Sequence, residues 1–246
     1  MSICAFCFRN AKLSGEHIWS LWMRDLFPSK QFRFIQRNEH GEIIRTWNPP
    51  NIDLTAKVVC EPCNNGWMSD LESQHARPAM RDLIVGDKGI TVSQSRANSM
   101  AIFAFKTAVI VDHMRRNHVP FFRRSIRQKF AKRLEIPPYV RMWFAGFLPT
   151  GSGLVQSTYF HGSVDPKLRI QLHICTYAVG HLIFQVVSAR FHSHMSSFSP
   201  RSGFEYLAVP FWPTIPKRIR WPCQDVLRTQ REFSEFSDRW GAITLS

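Results

Sequence analysis

Residues 60–64 read Cys-Glu-Pro-Cys-Asn, residues 4–7 read Cys-Ala-Phe-Cys, and between the two pairs, at 16–17, stands Glu-His. A Cys-x-x-Cys pair turns tightly enough to present two thiolates to one ion, and two such pairs supply the four sulfurs of a tetrahedral zinc site. Four thiolates on Zn2+ leave two net negative charges and no open coordination position. Zinc held by Cys4, Cys7, Cys60 and Cys63 is therefore expected to be structural. Glu16, His17 and Asn64 are three residues this zinc does not need. A Glu16 carboxylate is a hard oxygen donor suited to Mg2+ or Mn2+. Histidine titrates near neutrality, so His17 is a candidate general base toward water, the alternative being an ordinary core or surface histidine. Neighbours on an extended segment face opposite sides, which lets one address a metal and the other a substrate water. Asn64 offers either a second oxygen ligand or an N-cap for the helix that follows.

The order Cys-x-x-Cys, acidic-His, Cys-x-x-Cys-Asn resembles the HNH, or His-Me finger, endonucleases, in particular the zinc-stapled branch that includes phage junction resolvases. The resemblance covers residues 1 to about 75. It implies a ββα motif with the acidic-His step on its first strand and the Asn on its helix. It also implies His17 as general base, Glu16 and Asn64 as ligands of one divalent ion, and phosphodiester hydrolysis of DNA assisted by that ion. Three positions depart from the family pattern. Glu16 stands where many members carry Asp or His, the 17–60 interval holds an inserted hairpin, and Met68 stands where some members carry a further His ligand. Asn65 and Glu72 are the available substitutes, and His75 reads as solvent-facing helix.

Composition separates two halves. Residues 1–85 hold 10 Lys+Arg against 9 Asp+Glu; residues 86–246 hold 22 against 9, nearly all of the net charge of +14. Such a field favours a polyanion, and with no basic amphipathic helix in view, nucleic acid is favoured over an anionic membrane. DNA is the expected partner, with RNA as the alternative polymer. The basic charge is densest over 115–133, where Arg115, Arg116, Arg123, Arg124, Arg127, Lys129, Lys132 and Arg133 face no acid. These eight are the candidate nucleic-acid contacts, and the interleaved Phe121, Phe122 and Phe130 read as core anchors.

An α+β fold is expected: an HNH-like zinc-stapled domain over 1–85, then a basic α+β domain over 86–246 with a buried helix and an antiparallel sheet. The first domain reads as a short helix over 19–26 ended by Pro28, strands over 31–36 and 42–47 joined through 38–41, a loop at 48–51, a strand over 54–59, and a helix from 64 that Pro78 kinks or restarts. Gly86–Ser95 is turn-rich and marks the boundary. Residues 96–114 are apolar on nearly every side, as in a buried helix. Leu168, Ile170, Leu172 and Ile174 alternate with Arg169, Gln171, His173 and Cys175, as in a half-buried strand whose polar face is open to DNA. Further strands are expected over 139–148 and 181–189, and a Pro- and Trp-rich surface wrap after Pro210. His192 and His194 form a minimal His-x-His step with no clear partner. Trp19, Trp22 and Trp67 read as packing, and Cys175 and Cys223 as small buried hydrophobes.

The longest apolar run, 100–111, is interrupted by Lys106 and Thr107 and is too short to span a bilayer. No secretory leader opens the chain, so a soluble, cytoplasmic protein is expected. Cleavage of both strands by one centre per chain would call for a homodimer. The rival expectation is a non-catalytic, zinc-stabilised nucleic-acid-binding protein in which Glu16-His17 is structural.

Overall fold

Chain order sets the architecture of the computed structural model, which describes residues 2–27, 34–37, 43–48, 52, 54–86, 88–114, 119–148, 155–165, 170–190, 198–200, 206–214, 219–223, 225–237 and 243–245. Strands β1 (Ser2–Ile3) and β2 (Asn10–Ala11) pair around the first cysteine turn. β3 (Leu13–His17) precedes a 3-10 helix, Leu21–Leu26, and β4 (Phe34–Arg37) pairs with β5 (Ile43–Trp47) as the expected hairpin. The turn expected at 38–41 and Pro28 lie outside the described residues, as do 49–51 of the expected loop.

β6 (Thr55–Cys60) returns antiparallel to β3 and feeds a long helical segment. That segment begins as α1 (Glu61–Cys63), widens into π-helical turns at Asn64–Met68 and Leu71–Ala76, and closes as α2 (Arg77–Val85). Pro78 stands in the first turn of α2, where the wide turns give way to regular α-helix with helical backbone angles kept across the join. A proline lacks an N–H and crowds the carbonyl four residues back. The wide turn just upstream, where the Arg77 N–H reaches the Glu72 carbonyl, absorbs that strain.

β7 (Ile90–Val92) lies inside the stretch expected to be turn-rich. α3 (Gln94–Asp112) is the buried helix, capped by Ser93, whose side chain accepts from the Arg96 N–H at 3.2 Å. α4 (Arg124–Arg133) follows, then strands β8 (Val140–Phe147), β9 (Val155–Asp165), β10 (Ile170–Val179) and β11 (Leu182–Arg190). The remainder carries β12 (Phe198–Pro200), β13 (Val209–Trp212), β14 (Ile219–Trp221), β15 (Val226–Leu227), α5 (Gln230–Ser237) and β16 (Ile243–Leu245).

The main sheet runs β13-β8-β11-β10-β9, with β15 parallel to β8. Its period-two pattern was expected to leave one face polar. Instead both faces are covered. Cys175, Tyr177, Leu182, Phe184, Val186, Val140, Met142 and Phe144 join the large core around α3, while Leu172, Ile174, Ile183, Val187, Trp143 and Phe147 join a second core with Phe233 and Phe236 of α5. His173, expected on an open face, is fully buried against the rings of Phe121 and Phe122. Arg169 and Leu168 lie outside the described residues. The region after Pro210 is likewise not a mere wrap: β13 extends the sheet, and α5 docks where Gln185 Nε2 donates to the Phe236 carbonyl at 2.9 Å. A capping box starts α5, with the Glu232 N–H donating to Thr229 Oγ1 and the Thr229 N–H to Glu232 Oε2.

The large core runs without interruption from Cys4 through α2 and α3 to Trp221. Phe121, Phe122 and Phe130 are fully buried in it, each such ring contributing about 1.5–3 kcal/mol of burial. Trp19 and Trp22 are buried, and Trp67 packs edge-on to Phe6 and Phe130. Cys175 is buried and Cys223 half-buried. Where α2 meets the β10–β11 hairpin, the His181 N–H donates to the Ile84 carbonyl at 2.9 Å. Gly86 and Gly180 both hold left-handed φ values there, 72° and 55°. A Cβ at Gly180 would sit 2.3 Å from the Ile84 carbonyl oxygen, and one at Gly86 would sit 2.5 Å from the His181 ring. Among the described residues, no helix is long and apolar enough to cross a membrane.

Candidate functional site

The four cysteines of the two Cys-x-x-Cys pairs converge. Their Sγ atoms lie within 4.8 Å of one another, and Cys7 and Cys60 Sγ are 3.5 Å apart. A disulfide needs about 2.05 Å, whereas tetrahedral zinc with bonds of about 2.3 Å sets its sulfurs roughly 3.8 Å apart. The donor set thus fits zinc. Backbone delivers it: Ala5 N–H donates to the Val58 carbonyl at 2.8 Å, docking the first turn on β6. Cys60 N–H donates to Cys4 Sγ at 3.3 Å. Burial pushes the Cys4 thiol up, but the N–H groups of Cys60, Cys7 and Phe6 outweigh it and bring the pKa to about 7. Burial pushes the Cys63 thiol up, and the neighbouring Cys4 adds to the rise, the mutual repulsion that a dication relieves.

A few ångströms along the chain, Asn64 closes a clasp. Its φ of −65° and ψ of −54° place it within the helical segment, so it is not the N-cap considered from sequence. Its Nδ2 donates to Ser14 Oγ and to the Gly15 carbonyl, each at 3.1 Å. Ser14 Oγ in turn donates to the Val59 carbonyl at 3.2 Å. The β3–β6 register slips between Ser14 and Glu16, a bulge that turns the Gly15 carbonyl out to meet the amide. One side chain on the helix thereby fixes the strand that carries Glu16 and His17.

Glu16 and His17 diverge from there. His17 is half-buried. Glu16 is 4% exposed, and its Oε1 lies 2.6 Å from Lys106 Nζ. Lys106 rises from the middle of α3 with its side chain fully buried, and it also meets Glu72 Oε1 at 2.5 Å. Burial alone would lower the lysine pKa, but the charges of Glu72 and Glu16 and their hydrogen bonds raise it well above its ordinary value. The ammonium further lies 5.0 Å from the Phe103 ring centroid. Glu72 is thus engaged by a lysine; Asn65 and His75 are exposed on the helix, and Met68 is buried.

The basic residues divide. Arg123, Arg124, Lys132 and Arg133 are exposed, as is Lys129, which pairs with Glu135. Arg115 and Arg116 lie outside the described residues, as do His192 and His194. Arg127 is 8% exposed and serves the fold. Its Nε donates to the Phe122 carbonyl at 2.9 Å and its Nη1 to the Ala5 carbonyl at 2.5 Å, inside the first cysteine turn. Nη1 also donates to His113 Nε2 at 2.7 Å, which leaves His113 Nδ1 to donate to the Val109 carbonyl at 2.8 Å.

Sequence reading missed Lys106 and Arg190. A lone lysine in an apolar helix is a signal, since a buried ammonium requires a counter-charge. The partners, 90 and 34 residues away, leave no local trace. Comparison with known protein families, with curated proteins and with solved structures finds no match.

Proposed function

We propose that this chain is an HNH-type endonuclease, its β3–β6 pair and following helix forming a His-Me finger around Glu16, His17 and Asn64. The observation that carries this reading is the clasp from Asn64 to Ser14 and Gly15, which ties helix to strand immediately before the Glu-His step. The donor set suits a divalent ion. Among the described residues, Glu16 Oε2 and Asn64 Oδ1 accept no hydrogen bond, while Lys106 holds the other carboxylate oxygen and Ser14 and Gly15 hold the amide nitrogen. Bound by these oxygens, Mg2+ or Mn2+ would supply Lewis-acid stabilisation of charge on the phosphate and the leaving oxygen.

In this reading His17 accepts the proton of the attacking water. Lys106 and Glu72 keep the Glu16 carboxylate in one orientation, and zinc on the four cysteines keeps β6 and its helix in register with the first turn. Basic residues of the second half bind the nucleic-acid backbone, DNA first and RNA as the alternative.

A second reading is favoured by the same Lys106–Glu16 pair. A carboxylate already matched by a cation is also what a purely structural, non-catalytic nucleic-acid-binding protein would hold. Purified zinc-loaded protein incubated with supercoiled plasmid and Mg2+ or Mn2+ separates the two. The expected result is nicking or linearisation, reduced at least about 100-fold by His17→Ala, the usual worth of a positioned base. Nicking that survives His17→Ala would remove the base from the proposal. Zinc-loaded protein that binds but cleaves neither DNA nor RNA would establish the second reading.

A further inference from the structure

An arginine cleft lies away from the Glu16–His17–Asn64 centre, between the start of α4 and the ends of β10 and β11. Its volume is about 380 Å3, and Arg123, Arg124, Arg127, Arg190, Gln171 and Phe122 line it, with Val119 and Pro120 at one edge. Four guanidinium groups share this space. The carboxylate that acts on two of them, Asp112, is fully buried and accepts from the N–H groups of Phe121 at 3.1 Å and Phe122 at 3.2 Å. Even with Asp112 counted, the cleft keeps a net positive charge that no other described acid lining it offsets.

Arg190 is the decisive member. Its guanidinium stacks 4.3 Å over the Phe121 ring. Its Nε is shut off from solvent and has no acceptor among the described residues. A buried donor of this kind is destabilising unless something accepts from it. Burial, and after it the Arg123 charge, pushes the Arg190 pKa down despite opposing pulls from Tyr139 and Asp112. Arg123 and Arg124 line the same cleft as Arg190 and Arg127. Like charges are therefore crowded together in a partly dry pocket, which an anion relieves. A planar guanidinium fork matches phosphate oxygens in a way an ammonium does not. Gln171, exposed at the rim, adds a neutral amide.

We propose that this cleft is a phosphate-binding site, with Arg190 as its floor, Arg123 and Arg124 as its rim, and a phosphate group as its ligand. The inference concerns binding and stands apart from the cleavage chemistry. The group belongs either to a nucleic-acid backbone or to a free phosphate.

The test uses the full-length zinc-loaded chain without divalent ion, so that loss of cleavage has no bearing on it. Binding of a fluorescein-labelled DNA duplex is followed by anisotropy over a KCl series, with inorganic phosphate as competitor at matched ionic strength. Arg123→Gln with Arg124→Gln is compared with Arg77→Gln and Arg81→Gln, which remove equal charge from exposed positions on α2. Arg190→Gln is tested beside them, with zinc content and circular dichroism reporting its fold. The rim pair is exposed and remains informative if Arg190→Gln fails to fold. The expected result is a loss of about tenfold in affinity for the rim pair and a salt slope shallower by about two, one unit per lost phosphate contact. Displacement by inorganic phosphate identifies a free-phosphate site; arginine-dependent binding that phosphate does not displace identifies the polymer backbone. An equal loss in the α2 control, or a rim pair that keeps both its duplex affinity and its affinity for inorganic phosphate measured by calorimetry, overturns the proposal.

Discussion

The cysteine-bearing half and the sheet behind it share one apolar core and differ in what is built onto it. Around β8, β10 and β11, order comes from mass: apolar side chains alternate onto two faces, and each face is sealed by a helix. Around β3, β6 and the helix after them the same apolar core continues through Phe6, Trp19, Met23, Val59 and Met68, and a handful of long-range polar ties is set into it. These are four convergent thiols, one asparagine clasp, one lysine between two carboxylates and one arginine reaching back to a cysteine turn. Distributed packing tolerates the loss of a member, whereas a frame built of single ties does not. The second kind of order is what a site needs, since it fixes a few atoms rather than a volume.

Removing zinc should break this comparison most sharply. Chelation is expected to cost the first half its amide protection over 2–27 and 55–63, while β8, β10 and β11 keep theirs; hydrogen exchange read by mass spectrometry checks it. Uniform loss across both halves would show the frame and the sheet to be one cooperative unit. Next in size is Lys106→Met, which strands two carboxylates beside a buried space. Breaking a buried pair from one side costs about 3–5 kcal/mol by urea denaturation, and adding Glu16→Gln and Glu72→Gln should recover much of it. Absence of recovery would mean that Lys106 acts through packing. Smallest is Asn64→Ala, expected to cost about 1–3 kcal/mol for the acceptors it leaves behind. Any nuclease activity should fall by more than that stability loss explains, because the strand carrying His17 is freed.

What could be read in advance follows the same division. The cysteine pairs are local spellings of a metal turn, and the pairing of β3 with β6 follows from bringing them together. The apolar helix and most strands of the main sheet also show in their periodicity. His173 misled because alternation with apolar neighbours looks like an open polar face. Its cover comes from Phe121 and Phe122, distant in sequence. The helix α5 carried a readable mark, Thr229-Gln-Arg-Glu232, hidden by the prolines and tryptophans before it. At the centre, the types Glu, His and Asn were legible, but their partners were not. Lys106 and Ser14 reach them only through the folded chain.

Gly86 and Gly180 carry one more consequence, and it concerns motion. A glycine at the end of a helix, next to a turn-rich stretch, is where a hinge would be sought. Here each glycine faces the other element at a distance that leaves no room even for a methyl group, and the Ile84 carbonyl is bonded across the gap. The freedom of these residues is spent on close approach, so this joint is jammed, and opening of the cysteine-bearing half away from the sheet would have to begin elsewhere.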